Sequence, residues 1–161
     1  MWKCAVLALV AGCVGPTMRD RHPGQLKLTF HNEAGGPVCG LYIYPFGQTA
    51  QGQNWLQPDT EIASGNWIEF WVSSETTYQF RVEGCPYEHQ LLHGYAPSIV
   101  MNEPAVAVLY KEDDKRSKEV AEGLAHSHTN STLIPAKQTF VAHPTARPTV
   151  VKTAPSSRGD R

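Results

Sequence analysis

No uninterrupted apolar run in this 161-residue sequence exceeds the eight residues from Cys4 to Ala11. A helix that crosses a bilayer needs about 20 such residues, so no single run encodes one. Charge is scarce too. Asp, Glu, Lys and Arg make up 18% of the chain, and the net charge of −1 disfavours a dedicated nucleic-acid binder. No HExxH, GxGxxG, P-loop or nucleophile-elbow sequence occurs, so the strong enzymatic signatures are absent. No CxxC spacing occurs either, which argues against a structural zinc site. What is plentiful is turn material: 13 glycines and 12 prolines disfavour a long-helix bundle and suit a modest β-rich core.

The most specific signal lies at the N-terminus. Lys3 supplies a positive start, and the apolar stretch Cys4 to Ala11 has the length of a secretory signal core. It ends in Val10-Ala11-Gly12-Cys13, which resembles the bacterial lipobox. The resemblance implies a signal peptide over 1–12, cleaved just before Cys13, whose thiol is then acylated. Small neighbours let the peptidase close on the backbone, and two or three acyl chains suffice for stable anchoring. A plain secretory signal, with Cys13 incidental, and a buried N-terminal strand of a cytosolic protein are the alternatives. Residue 14 is Val rather than Asp, which leans toward the outer membrane. Residues 13–24 then read as a tether, rich in Gly, Pro and charged side chains.

With Cys4 removed and Cys13 acylated, Cys39 and Cys85 are left for the mature domain. In an exported chain such a pair reads as a disulfide, with two buried free thiols as the alternative. The bridge would close a loop of about 47 residues, worth on the order of 4 kcal/mol by chain entropy. A Cys85-His89-His93 ligand set would converge only on a helix, and Pro86 argues for extended backbone there. No metal and no cofactor is expected.

From Gly24 to Tyr110 the hydrophobic pattern has a period of two. Leu26 to His31 and Val38 to Tyr44 read as strands, with Asn32 to Gly36 as the turn between them. Phe46 to Thr60 reads as a loop, with Trp55 and Leu56 pinned into the core, and Thr60 to Ala63 as a short strand. Trp67 to Val72 and Thr77 to Val82 flank Ser73-Ser74-Glu75-Thr76 and read as a hairpin. Gln90 to Tyr95 and Ala105 to Tyr110 close the set. Six or seven short strands predict a small antiparallel β-sandwich over 25–110.

These residues carry a second resemblance. Phe30-His31-Asn32, Val38-Cys39, Tyr42-Ile43-Tyr44-Pro45, Asn54-Trp55-Leu56, Ile62-Ala63-Ser64-Gly65 and Tyr78 to Cys85 follow one another in order. The series resembles the small β-sandwich domain found in many uncharacterised bacterial lipoproteins. It covers residues 26 to about 93. The chain departs from that pattern by lacking a Gly after Trp55 and by carrying Ala63-Ser64 where Pro-Gly is expected. It also ends the strand as Glu83-Gly84-Cys85. The resemblance implies a fold and an envelope address, and no reaction.

Beyond Tyr110 the composition changes. Residues 111–125 form a charge run with room for a helix turn or two, and 126–161 is rich in Thr, Pro, Ala and Ser without clear period. Too little apolar surface is present there to offset the entropy of ordering, which predicts a disordered tail. Two basic residues (Lys27, Arg81) face eight acidic ones between Gly24 and Tyr110, while five basic residues and only Asp160 lie between Ser127 and Arg161. A near-neutral total thus divides into an acidic body and a basic tail, suited to solvent, to anionic lipid or cell-wall polymer, or to the body itself.

Glu88, His89 and His93 form the one acid–base grouping, without a nucleophile in a definable context, so no catalytic residue is assigned. His126 and His128 are a pair of the kind polar tails produce by chance. Arg158-Gly159-Asp160 and Asn130-Ser131-Thr132 match recognition tripeptides too short to carry weight. Aromatic residues are numerous. Most should fill the core and pair across strands, but bulky groups face both ways in Trp67 to Val72. Trp55, Trp67, Trp71 and Tyr44 are therefore the candidate ligand platform. The sequence thus predicts a lipid-anchored, noncatalytic binding or structural module of the cell envelope, at the outer membrane, contacting a protein or a glycan. A glycan- or peptidoglycan-directed accessory subunit or inhibitor is the alternative.

Overall fold

The computed structural model describes residues 22–48, 52–88, 90–95, 98–142 and 144–147. The expected signal peptide, Cys13 and most of the tether lie outside them, as do His89 and residues 148–161. The elements run β1 (Gln25–Glu33), β2 (Val38–Pro45), β3 (Asn66–Ser73), β4 (Thr77–Gly84), β5 (Gln90–Tyr95), β6 (Ile99–Val100), β7 (Ala105–Lys111), α1 (Lys115–His126) and β8 (Ser131–Phe140).

The fold is mostly β, as the sequence predicts, but the strands form one curled sheet, a half-barrel. Its order is β2-β4-β5-β8-β7-β1-β3, with β6 added to β4. The expected antiparallel sandwich is corrected on two counts. The sheet closes its core by curling on itself, and its centre is parallel: β1 pairs β7 and β7 pairs β8 in parallel. Parallel neighbours require a crossover, and α1 supplies it between β7 and β8.

Alternation decides which side of each strand is dry. Leu28 and Phe30 of β1, Leu41 and Ile43 of β2, Phe80 and Val82 of β4, Leu92 of β5, Ala107 and Leu109 of β7, and Ile134 of β8 meet in one core on the concave face. On the convex face Val106 and Val108 are covered by Ala121 of α1. Small alanines let the helix sit close. The Asp114 carboxylate caps it, accepting from the backbone N–H groups of Arg116 (2.9 Å) and Ser117 (3.3 Å). Ser117 Oγ donates to the Glu33 carbonyl at 2.7 Å, tying the helix to β1. Among the described residues no helix is long and apolar enough to cross a membrane.

Two more expectations are corrected. The segments before and after Ser73-Ser74-Glu75-Thr76 do not pair as a hairpin: β3 pairs β1, and β4 pairs β2 and β5. Instead the turn is held by its neighbours, with Ser74 N–H donating to Gly24 O (2.8 Å) and Glu75 N–H to Met101 O (2.7 Å). Glu75 sits at φ 57°, a conformation that Asn or Gly would favour, so no standard hairpin turn is encoded there. Nor are residues 131–140 disordered. They form β8 in the interior of the sheet, between β5 and β7, with Thr132, Ile134 and Ala136 facing the core. Small and polar inward residues hide the period of two, and Pro135 masks the strand further.

Cys39 and Cys85 form a disulfide with Cα atoms 4.7 Å apart. Its setting explains the pairing. The β2–β4 register slips between Val38 and Gly40, leaving Cys39 as the extra residue of a bulge, while Cys85 follows the last residue of β4. Gly40 beside it suits the close approach, because a Cβ there would lie 3.0 Å from the Glu83 Cβ.

Candidate functional site

The two edges of the curled sheet are β2 and β3, and they do not pair along their lengths. A single bridge, Val38 to Ile62, joins the β2 edge to the connection before β3, where the sequence suggested a short strand. Along the rest of β2, the connecting loop takes the place of a neighbouring strand. Leu41 N–H donates to Asn54 Oδ1 (2.9 Å), and Asn54 Nδ2 donates to the Cys39 carbonyl (2.8 Å). Trp55 N–H donates to the Leu41 carbonyl (2.8 Å), and its indole Nε1–H to the Ile43 carbonyl (2.9 Å). An asparagine side chain and a tryptophan thus satisfy four edge groups, which protects β2 from pairing with another chain.

Between this plugged edge and β3 lies a groove of about 750 Å³, within the range of ligand clefts. Tyr44 of β2, Phe70 and Trp71 of β3, and Trp55 from the loop line it, together with carboxamides including Gln25, Gln53 and Gln57. The Trp55 ring stands edge-on to Phe70, with centroids 5.5 Å apart and planes at 88°. Indole hydrogen bond and ring contact together fix its orientation. Apart from tyrosines, the ionisable lining residues are His22 and Glu69. Glu69 is paired with Lys27 at 3.0 Å.

Three of the four expected platform residues (Tyr44, Trp55 and Trp71) therefore line one groove, and the fourth does not. Trp67 shares one face of β3 with Trp71 but lies outside the groove's lining; it is 61% exposed and stacks on its cross-strand partner His31, with ring centroids 5.9 Å apart. It borders a shallower pocket of about 240 Å³ on the convex face, with Lys27, Thr29, His31, Glu69 and His128. Burial holds the His31 imidazole below its ordinary pKa, and neighbouring His128 lowers it further. Burial acts the other way on Glu33, raising its carboxyl pKa. No local pattern signals that His31 and His128, 97 positions apart, share a pocket.

Of the acid–base grouping around Glu88, His93 lies exposed on the convex side of β5, and His89 is outside the described residues. Glu61 comes close to Cys39 and Cys85, but the sulfurs are joined to each other. Glu61 accepts instead from the Tyr87 hydroxyl and pairs with Arg147 at 3.1 Å. Arg147 also lies over the Tyr87 ring, and Thr145 N–H donates to Pro86 O at 2.9 Å. So the described part of the basic tail contacts the acidic body beside the disulfide.

No family model, curated protein or solved structure matches the chain.

Proposed function

We propose that this chain is a noncatalytic binding module of the bacterial cell envelope, held at the outer membrane by a lipid on Cys13 and seating its ligand in the groove between β2 and β3. The groove carries the reading. It is concave, of ligand size, and walled by aromatic rings whose positions are set by the edges of the sheet. Its chemistry argues for binding without turnover. Acid–base hydrolysis of a glycan takes two carboxyl groups in different protonation states. Among the described residues the one carboxylate in the lining is Glu69, and it is bound to Lys27.

The address rests on the Cys13 motif and on redox chemistry. A cross-link such as Cys39–Cys85 belongs to compartments outside the reducing cytosol. The test is fractionation of wild type and Cys13→Ser expressed in a Gram-negative host, with intact mass of the extracted protein. Wild type should sediment with the outer membrane, without residues 1–12 and with acyl mass added, while Cys13→Ser is released to the soluble fraction. Equal sedimentation of the two chains, or an unmodified wild-type mass, overturns the anchor.

A further inference from the structure

We infer that the groove between β2 and β3 takes a neutral oligosaccharide; the inference rests on the binding-module reading and names its ligand class. A pyranose has two kinds of surface: a face of C–H bonds that packs on an aromatic ring, and a rim of hydroxyls that need both donors and acceptors. The groove supplies both kinds. Trp55, locked by its bond to Ile43 O and its edge contact with Phe70, presents a preset ring, and Tyr44 and Trp71 come from the two facing strand edges. Carboxamides donate and accept at once without charge, and Gln53 and Gln57 are exposed at this site.

Charge narrows the ligand further. Among the described residues the lining holds no Lys or Arg, so a phosphate, a nucleic acid or an acidic polysaccharide would find no guanidinium or ammonium there to meet it. With Glu69 committed to Lys27, a basic peptide finds no open carboxylate in the lining either. An acyl chain would leave the carboxamides without partners, at the penalty that unsatisfied polar groups carry. Uncharged, hydroxyl-rich ligands with apolar faces fit all three conditions. Trp67 is no part of this site: it lies outside the lining, stacked on its neighbour His31 of β1.

The test is calorimetric titration of the full oxidised chain with hexasaccharides of glucose (β1→4 and α1→4 linked) and of N-acetylglucosamine. Hyaluronan, a proline-rich peptide and the sugar-free detergent dodecyl octaethylene glycol ether serve as comparators. At least one neutral hexasaccharide should bind, and Trp71→Ala should weaken it by about tenfold, the scale of one aromatic stacking contact. Trp67→Ala should leave the affinity unchanged. Circular dichroism screens the variants for folding, and Tyr44→Ala on the opposite wall repeats the test if Trp71→Ala misfolds. Neutral-glycan binding that ignores both Trp71→Ala and Tyr44→Ala, or no such binding at all, overturns the inference. Tighter binding of peptide, detergent or hyaluronan that is lost in Trp71→Ala also overturns it, yet leaves a binding module in place. Silence from every ligand removes the groove as a seat and the module reading with it.

Discussion

Replacing both Cys39 and Cys85 by alanine should destabilise the domain by about 4–5 kcal/mol. The two residues are 46 apart in sequence, and closing a loop of that length removes unfolded-state entropy worth about 4 kcal/mol. The folded state should lose little geometry, since β2 and β4 are already joined by a ladder from Val38–Gly84 to Pro45–Tyr78. Cys85 is fully buried, so deleting its sulfur adds up to about 1 kcal/mol of lost packing. Net stabilities of small domains are about 5–15 kcal/mol, so the variant would sit near its unfolding threshold. Urea unfolding followed by tryptophan fluorescence measures the loss, with wild type in a phosphine reductant as a third arm. The double variant and reduced wild type should agree within about 1 kcal/mol, and both should show a larger m-value as their unfolded chains expand. If the double variant matches oxidised wild type in midpoint and slope, the cross-link is not restricting the unfolded chain and the reasoning fails.

Gly84→Ala should cost about 1–3 kcal/mol, because its new Cβ would stand 2.6 Å from the backbone nitrogen of Leu92. Gly123→Ala on α1 should instead stabilise by about 0.5–1 kcal/mol, since its Cβ meets open space in a helix interior; thermal melts of the two should move in opposite directions. Asn32 is fully buried and donates to the carbonyls of Gly36 and Ile62 (both 2.8 Å) while accepting from Ala34 N–H (3.1 Å). Asn32→Leu strands those three groups and should lower urea stability by about 3 kcal/mol; a change under about 1 kcal/mol would refute the role. The His31 pKa is lower in the folded than in the unfolded chain, so its contribution is present above pH 6.5 and is lost as pH falls through the folded value. His31→Asn should therefore flatten the fall in urea midpoint below pH 6.5. Glu33, with its pKa raised by burial, contributes at low pH and loses that contribution as pH rises past its folded value.

The strands were legible because one face of each is dry. Phe30, Ile43, Phe80 and Leu92 recur at every second position with their neighbours, and each marks a strand of the sheet. The loop contact of Trp55 was legible too, as an aromatic stranded among glutamines. Pairing was not, because period two says which way a side chain faces and nothing about its neighbour strand. Proximity in sequence favoured a β3–β4 hairpin, yet β3 finds β1, and Lys27 opposite Trp71 with Glu69 opposite Thr29 shows how the register is satisfied. The β8 strand hid for a different reason. Its inward residues are Thr132, Ile134 and Ala136, and the polar Thr132 and small Ala136 do not announce a core. The helix in turn buries two alanines within a charged run.

The groove could not be read from the chain because it is a property of two edges. Tyr44 and Trp71 belong to strands at opposite ends of an eight-stranded sheet, and only its curl brings them to one cleft. Had β2 and β3 paired, the barrel would have closed and the cleft would not exist. Asn54 and Trp55 prevent that by occupying the β2 edge groups that a β3 ladder would need. This divides the aromatic residues by task. Trp55 is committed to the fold before any ligand arrives, because its indole N–H satisfies the Ile43 carbonyl; its loss should lower stability and binding together. Trp71 lies across the cleft on the other edge, and its replacement should separate the two effects, lowering affinity more than stability. Such a split between neighbouring tryptophans is what a ligand seat built on an unclosed barrel seam requires, and a purely structural aromatic cluster would not produce it.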